Sequence, residues 1–221
     1  TAGGWLDVPS HEWICQHVYA DKAAGGQLHK HLRAQKPYKK RSGTNERRGS
    51  ITCRTSIHER PAEIETRERL GDFEGDTVVG EKHKGALVTL VDRKSLFTLM
   101  KMLPSKHTAN VVQACVDLLK PVGALSVTFD NGKEFAAHMR LREVGIDTFF
   151  ADPYCSVQRA RNENTNGLIR QYLPKGCPFV GVSDDFVAKV QDALNHRPRK
   201  TLNWLTPTQV LSGKFNVALR G

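Results

Sequence analysis

The sequence predicts an α/β domain built on a mixed five-stranded sheet flanked by helices, with a small helical piece in front of it. Two observations carry this prediction. Strand-like and helix-like apolar patterns follow one another from about Leu70 onward, and the first three strand patterns are separated only by short polar connections, which favours an antiparallel meander. The predicted strands are residues 72–79, 85–92, 95–102, 124–129 and 146–150.

The helices fill the intervals after the third strand. Apolar residues at helical spacing predict a helix from about His107 to Leu119, with Val111, Cys115, Leu118 and Leu119 on one face. Further helices are predicted from Lys133 to Val144, from about Arg159 to the stop at Pro174-Lys175-Gly176, and at 183–195 and 206–213. The order is therefore three strands, helix, strand, helix, strand, helices.

The first third of the chain has a different character. Ser10 is placed to cap a helix running to about Tyr19, and a second short helix is predicted to end near Arg33. Lys, Arg, Gly, Ser and Thr then dominate and periodicity is lost. We therefore expect three parts: a helical remnant at 1–34, a basic linker at 35–66 and the sheet domain at 67–221.

Charge and cysteine usage narrow the class of protein. A formal net charge of +10 and a pI near 9.5 favour a polyanionic partner. The basic linker either contacts that partner or is a solvated tether. Five scattered cysteines, none in a CxxC pair, argue against a disulfide framework and a zinc module. Without a signal-peptide pattern or a membrane-length apolar run, the sequence predicts a soluble, cytoplasmic protein.

The order of elements resembles the ribonuclease H-like fold, in which the first and fourth strands are neighbours at the centre of the sheet. In that arrangement Asp76 on the first strand and Asp130 at the end of the fourth would lie side by side. Glu163, in the helix that follows, would join them. Three carboxylates at one point are suited to divalent cations, and oxygen-only ligands favour Mg²⁺, with Mn²⁺ as a substitute.

Each acid also has a less specific interpretation. Asp130-Asn131-Gly132 is common turn chemistry, and Glu is frequent in the first turn of any helix. Strand alternation places Asp72 and Glu74 on the same face as Asp76, so Glu74 is an alternative or an assisting acid. We favour Asp76, and we expect Asp72 and Glu74, nearer the start of the strand, to be solvated.

The Glu163 helix also carries residues suited to DNA. Helical spacing puts Arg159, Glu163, Asn166, Gly167 and Arg170 on one face. One acid flanked by basic and amide side chains fits a helix that holds a metal ligand and touches phosphates. The predicted DNA-binding residues are Arg47, Arg48, Arg54, Arg159, Asn166, Arg170 and Lys175.

Six segments resemble those of bacterial DDE transposases of the insertion-sequence-thirty family, within the retroviral-integrase superfamily. They are EGDTVVG at 74–80, LVTLVDRKS at 87–95, FDNGKEF at 129–135, ADPY at 151–154, NENTNGLIRQY at 162–172 and NHRPRKTL at 195–202. The resemblance implies Asp76, Asp130 and Glu163 as metal-binding catalytic acids. It also implies cleavage at element ends, attack of a 3′-hydroxyl on target DNA, and assembly as a homo-oligomer on double-stranded DNA near the bacterial nucleoid.

The chain departs from the family pattern in two places. Members usually carry Trp and Gly before the catalytic helix, where this chain has Val157 and Ala160. Members also carry helix-turn-helix modules upstream, of which residues 9–15 resemble only the last helix, so we expect a truncated protein or a fragment. Two alternatives therefore stay open: a catalytically impaired DNA-binding remnant, and a ribonuclease H-like nuclease without strand transfer.

Overall fold

A computed structural model describes residues 10–32, 51–153 and 155–218. The chain divides into two compact units, Thr1–Glu46 and Arg47–Gly221. In the first unit, helix α1 spans His11–Ala23, and a 3₁₀ helix follows at Leu28–His31. The predicted cap is confirmed, because Ser10 Oγ accepts a hydrogen bond of 3.1 Å from the backbone of Trp13.

The second unit is built on a five-stranded mixed sheet. Its strands are β1 Asp72–Val79, β2 Ala86–Asp92, β3 Thr98–Leu103, β4 Ser126–Phe129 and β5 Asp147–Phe150. Their order is β3-β2-β1-β4-β5, with β1–β2 and β2–β3 antiparallel and β1–β4 and β4–β5 parallel. This is the predicted ribonuclease H-like arrangement, with the first and fourth strands adjacent at the centre.

Helices cover both faces of the sheet. Those of this unit are α2 Ala62–Thr66, α3 Thr108–Leu119, α4 Met139–Glu143, α5 Ala160–Ile169, α6 Asp184–Asn195 and α7 Pro207–Ala218. Phe73 belongs to a buried cluster with side chains of α3 and α4, whereas Val78 belongs to a second cluster with α5 and α6. Because successive side chains of a strand alternate, Asp72, Glu74 and Asp76 share the face of Val78 and lie toward α5.

Gly75 brings β1 and β4 close together between the two clusters. A Cβ built at Gly75 would lie 2.4 Å from Cε1 of Phe129, whose ring is stacked on Phe135 at 4.1 Å between centroids. Any side chain at this position would displace the ring. The glycine therefore fixes how Asp76 is presented beside the end of β4.

Two elements differ from the predicted ones. The third strand begins at Thr98 rather than 95, because Asp92 Oδ1 accepts hydrogen bonds from the backbone and hydroxyl of Ser95, both at 2.7 Å, and closes a turn there. The predicted helix 133–144 is a 3₁₀ turn at Lys133–Phe135 followed by α4. The interruption coincides with His138, whose buried ring hydrogen-bonds Thr148 Oγ1.

The second half of the predicted linker packs with the sheet. Ile51, Ile57 and Ile64 are buried, and Phe150 N donates to the carbonyl of Thr55 at 3.0 Å. The isoleucines stand six and seven residues apart in a basic stretch, a spacing that matches neither a strand nor one helix face, so periodicity did not reveal them. Residues 35–50 lie outside the described residues, and the boundaries of the three predicted parts stay a prediction there.

None of the described helices combines the length and the apolar character needed to cross a membrane.

Candidate active site

Asp76 and Asp130 reach the same point from neighbouring strands. The parallel register pairs Asp72 with Ser126 and Glu74 with Thr128, a constant offset that, continued by two residues, sets Asp76 beside Asp130. Local hydrogen bonds orient both carboxylates. Asp76 Oδ1 accepts from Thr77 N at 2.8 Å, and Asp130 Oδ1 accepts from Gly132 N at 2.9 Å.

The guanidinium of Arg159 lies between the two acids. Its Nη1 is 3.7 Å from Asp76 Oδ2 and its Nη2 is 3.7 Å from Asp130 Oδ2. These distances are too long for strong hydrogen bonds, so the interaction is mainly electrostatic. The Asp130 side chain keeps 33% of its surface exposed and that of Asp76 keeps 23%, so both are open to a ligand from solvent.

Burial and the neighbouring acid both affect the protonation of Asp76. Burial raises the pKa of this carboxyl from 3.8 to about 6, the Arg159 charge opposes that shift, and the charge of Asp130 adds to it. Two carboxylates that one arginine compensates only in part make this place, between the middle of β1 and the end of β4, electronegative.

Helix α5 is fixed to the sheet by two asparagines. Asn166 Nδ2 donates to Asp76 Oδ2 at 2.9 Å, and Asn162 Nδ2 donates to the carbonyl of Glu74 at 2.8 Å. Thr89 Oγ1 lies 3.2 Å from Asn162 Oδ1 and 3.0 Å from Asn166 Oδ1. Sequence reasoning missed Asn162 and Thr89, although two asparagines one helical turn apart were a readable signal.

Glu163 lies on α5 but does not close a cluster with the aspartates. It is exposed, four residues after Arg159 and three before Asn166, and its carboxylate makes no hydrogen bond or ion pair with another described residue. Within residues 10–32, 51–153 and 155–218, no group of three His, Cys, Asp or Glu side chains is placed to hold a metal ion. The structure therefore brings two of the three predicted acids together.

The expectation that Asp72 and Glu74 are solvated is wrong. Both are buried, and in each an arginine and a hydrogen-bond donor compensate the charge. Asp72 is bound by Arg69 Nε at 2.7 Å and by Ser126 Oγ at 2.6 Å. Glu74 Oε1 pairs with Arg93 Nη1 at 3.1 Å, and its Oε2 accepts from Asn162 N at 3.0 Å. Because Glu74 has no exposed surface and is paired closely with Arg93, it is not the alternative ligand that its position in β1 allowed.

The sequence of this chain is similar to those of several known proteins. No protein-family model matches it. The transposase for insertion sequence element IS4351 of Bacteroides fragilis is 44% identical over 208 residues, covering 92% of this chain and 64% of the relative. The transposase for IS1086 of Cupriavidus metallidurans is 38% identical over 92% of this chain and 62% of the relative. Transposase InsI for IS30A of Escherichia coli is 40% identical over 73% of this chain and 43% of the relative.

The chain is thus similar to bacterial insertion-sequence transposases, among them that of IS30A. It spans about two thirds or less of the length of these curated relatives. A solved structure, the catalytic core domain of BIV integrase, aligns with 67% of this chain and 98% of that chain, at 19% identity and a TM-score of 0.49.

The donor chemistry of this site fits a divalent cation in part. Asp76 Oδ2 and Asp130 Oδ2 both face one positive group, and carboxylate oxygens are the ligands that Mg²⁺ and Mn²⁺ prefer. The present positive group is Arg159. A cation bound by both acids would replace that guanidinium, and Glu163 would have to approach from the exposed side of α5 to join them.

The predicted DNA-binding residues lie in different surroundings. Arg54 Nη1 donates to Asn131 Oδ1 at 2.6 Å, next to Asp130, and Lys175 is exposed. Arg170 donates to three backbone carbonyls, those of Val79, Leu173 and Pro174 at 3.2 to 3.4 Å, so its guanidinium is engaged within the fold. Arg47, Arg48 and the side chain of Val157 lie outside the described residues.

Proposed function

We propose that this chain carries the catalytic core of a metal-dependent DNA transposase, which cleaves at the ends of an insertion sequence and joins the 3′-hydroxyl to target DNA. The observation that carries the proposal is the convergence of Asp76, within β1, and Asp130, directly after the adjacent parallel strand β4, on the guanidinium of Arg159. The identity of 44% to an insertion-sequence transposase supports it.

The metal in this proposal is Mg²⁺, for which Mn²⁺ can substitute, held by Asp76, Asp130 and Glu163. When bound at such a site, divalent cations activate the attacking oxygen and stabilise the leaving oxygen. The chain itself supplies the position of the ligands. Asn166 holds Oδ2 of Asp76 at 2.9 Å, and Gly132 N holds Oδ1 of Asp130, so both carboxylates are oriented before any ligand arrives.

The proposed partner is double-stranded DNA, both as element ends and as target. The net charge of +10 favours this partner, and the exposed Lys175 and the Arg54 side chain beside Asn131 are proposed to contact its phosphates. Arg47 and Arg48 are proposed to add to the same electrostatic attraction. We further propose that the protein acts as a homo-oligomer on DNA in the bacterial cytoplasm, at the nucleoid.

A second candidate is a DNA-binding remnant without catalysis. Arg159 between the two aspartates and the isolated carboxylate of Glu163 favour it. The third candidate, a nuclease that does not join strands, shares the acid pair and differs in its products.

The test is a strand-transfer assay on plasmid DNA with labelled element ends and Mn²⁺. We expect joined products from the parent chain and none from Asp76→Asn, Asp130→Asn or Glu163→Gln, while DNA binding is retained. Asp147→Asn, an exposed acid at the start of β5, is the matched control and should keep the parent rate. Cuts without joining would support the nuclease, and DNA binding without either product would support the remnant.

A further inference from the structure

Four arginines surround Glu74, two residues before Asp76 on the same face of β1. They are Arg60, Arg67, Arg93 and Arg161. Arg93 Nη1 is 3.1 Å from the Glu74 carboxylate, and the backbone N–H of Arg161 also stabilises that carboxylate. Arg60 reaches the strand next to it, donating to Thr128 Oγ1 at 3.1 Å. The four side chains come from three segments that are remote in sequence, so their convergence is a property of the fold.

The positive charges of this arginine cluster repel one another. Burial and, to a smaller extent, the charge of Arg93 together lower the pKa of Arg60 to about 10. Burial also lowers the pKa values of Arg93 and Arg161, and in each the charge of Arg67 adds to the effect. Geometry shows the same crowding, because the Arg93 side chain is 1% exposed and that of Arg60 is 3% exposed.

The carboxylates nearby are already engaged. Asp72 is held by Arg69, Glu74 by Arg93, and the exposed Glu65 contacts both Arg60 and Arg93. Among the described residues, neither Arg67 nor Arg161 makes a side-chain hydrogen bond or ion pair. The Nε atoms of both are buried without a partner. Two guanidinium groups thus add charge to a crowded cluster without neutralising any carboxylate by direct contact.

A bound anion would reduce the repulsion among the four arginines. Arg67 and Arg161 are each partly exposed, whereas the side chains of Arg60 and Arg93 are buried. Arginine forks bind phosphate oxygens in pairs, with planar geometry and charge-assisted hydrogen bonds. The excess of positive charge, the unpartnered donors and the partial exposure all fit one phosphate group.

The cluster lies next to the acid pair. Glu74 precedes Asp76 by two residues, a separation of about 6.6 Å along a strand. A phosphate bound at the cluster would therefore be close to one bound at the acids.

We propose that Arg67 and Arg161, backed by Arg60 and Arg93, bind a backbone phosphate of DNA adjacent to the one presented to Asp76 and Asp130. The chemistry recognised is a phosphate oxyanion. Its assignment to DNA rests on the proposed function, whereas the anion site itself does not.

The first experiment tests for the anion site with inorganic phosphate alone. The unfolding temperature is measured against phosphate concentration at constant ionic strength, with EDTA present to exclude metal. We expect phosphate to raise the unfolding temperature of the parent chain, since a ligand bound only to the folded state stabilises it. The double variant Arg67→Gln/Arg161→Gln should lose this rise. In phosphate-free buffer it should unfold at or above the parent temperature, because mutual repulsion has been removed.

The second experiment tests for DNA. Fluorescence anisotropy with a duplex oligonucleotide gives the dependence of log affinity on log salt, again in EDTA. Loss of one phosphate contact should reduce the magnitude of the slope by about 0.9 in the double variant. Arg140→Gln is the matched control, because Arg140 is an exposed arginine on α4, on the opposite face of the sheet, bonded to Gln113 Oε1 at 2.6 Å. Its slope should equal that of the parent.

The outcomes separate the sources of phosphate. Loss of both the phosphate effect and one unit of salt slope supports the proposal. Loss of the phosphate effect with an unchanged slope overturns the assignment to DNA and leaves a site for free phosphate. Unchanged behaviour in both measurements overturns the site. If the double variant does not fold, the single variant Arg161→Gln is used, which removes one charge and one guanidinium and should weaken both effects.

Failure of this inference is distinguishable from failure of the proposed function. Neither experiment contains metal or requires catalysis. Both therefore measure binding at the arginine cluster even when the acids are inactive. Strand transfer that depends on Asp76, together with an unchanged salt slope, would remove the arginine site and keep the transposase.

Discussion

Glu74 and Asp76 stand two residues apart on one face of β1, and their surroundings are opposite. Glu74 is fully buried, and each of its oxygens has a close partner, Arg93 on one and the backbone of Asn162 on the other. Asp76 is partly exposed, and its closest charge, Arg159, is 3.7 Å away. A carboxylate whose partners are complete stabilises the fold, whereas one whose compensation is loose is available to a ligand.

The factors that shift the pKa of these two carboxyls also differ. Burial raises the pKa of both carboxyls, and at Glu74 the hydrogen bond from Asn162 and the charge of Arg93 oppose it. At Asp76 the charge of Arg159 opposes the shift, but Asp130 adds a like charge. The strand therefore carries a structural acid and a candidate functional acid within about 7 Å.

The largest expected effect comes from removing the structural acid. Glu74→Ala leaves the buried Arg93 and the Asn162 N–H without their acceptor, and breaking a buried pair from one side costs about 3 to 5 kcal/mol of unfolding free energy. Urea denaturation at neutral pH measures it. Glu81→Ala, which removes an exposed ion pair of 3.9 Å to Lys82, should cost about 0.5 kcal/mol or less. Equal losses in the two variants would remove the distinction between Glu74 and a surface acid.

The strand pattern and the order of elements were sufficient to predict which acids would meet. Asp76 and Asp130 are 54 residues apart, and the parallel register pairs β1 with β4 at that same offset, as in Ser126 with Asp72. The alternation of side chains along a strand is encoded by the local sequence. Which two strands are neighbours is indicated by the order of the elements. That part of the site was predictable.

The burial of Glu74 was not predictable in the same way. Its partners lie 19 residues away, at Arg93, and 88 residues away, at Asn162. The alternation of residues along β1 does not show whether partners remote in sequence will contact Glu74. The position of Glu74 near the start of the strand therefore suggested that its carboxylate would be exposed to solvent. The same holds for Arg159, which was placed on a DNA-contacting face and instead lies between the two aspartates. Burial of a charge depends on tertiary partners, and the sequence of one element does not contain them.

The second effect is a pH dependence at Asp76. A carboxyl whose pKa is raised on folding contributes stability that is present below its ordinary pKa of 3.8 and is lost as pH rises through about 6. The Asp76→Asn variant has no carboxyl at this position, so its stability does not decrease in this way as the pH rises. In EDTA, its unfolding free energy relative to the parent should therefore increase between pH 4 and pH 7, by about 2 to 3 kcal/mol.

Urea titrations at four pH values across that range measure the difference. Asp147→Asn, exposed at the start of β5, serves as the control and should show a difference that stays flat with pH. A flat difference for Asp76→Asn as well would mean that Asp76 is as well compensated as Glu74, and the contrast between the two acids would fail.

The smallest effect concerns Arg159, whose guanidinium lies where a cation shared by Asp76 and Asp130 would bind. If the arginine has to leave, Arg159→Gln should bind Mn²⁺ more tightly, by about fivefold or more, which corresponds to about 1 kcal/mol of coupling. In EDTA the same variant should lose a similar amount of unfolding free energy, because two carboxylates are left facing each other.

Isothermal titration calorimetry gives the affinity and urea denaturation gives the stability. Arg170→Gln is the control, since its guanidinium is bound to the carbonyls of Val79, Leu173 and Pro174, away from either acid. Weaker Mn²⁺ binding in Arg159→Gln would show that the arginine helps to assemble the site rather than occupying it, and Asp76 would then resemble Glu74 in needing its arginine.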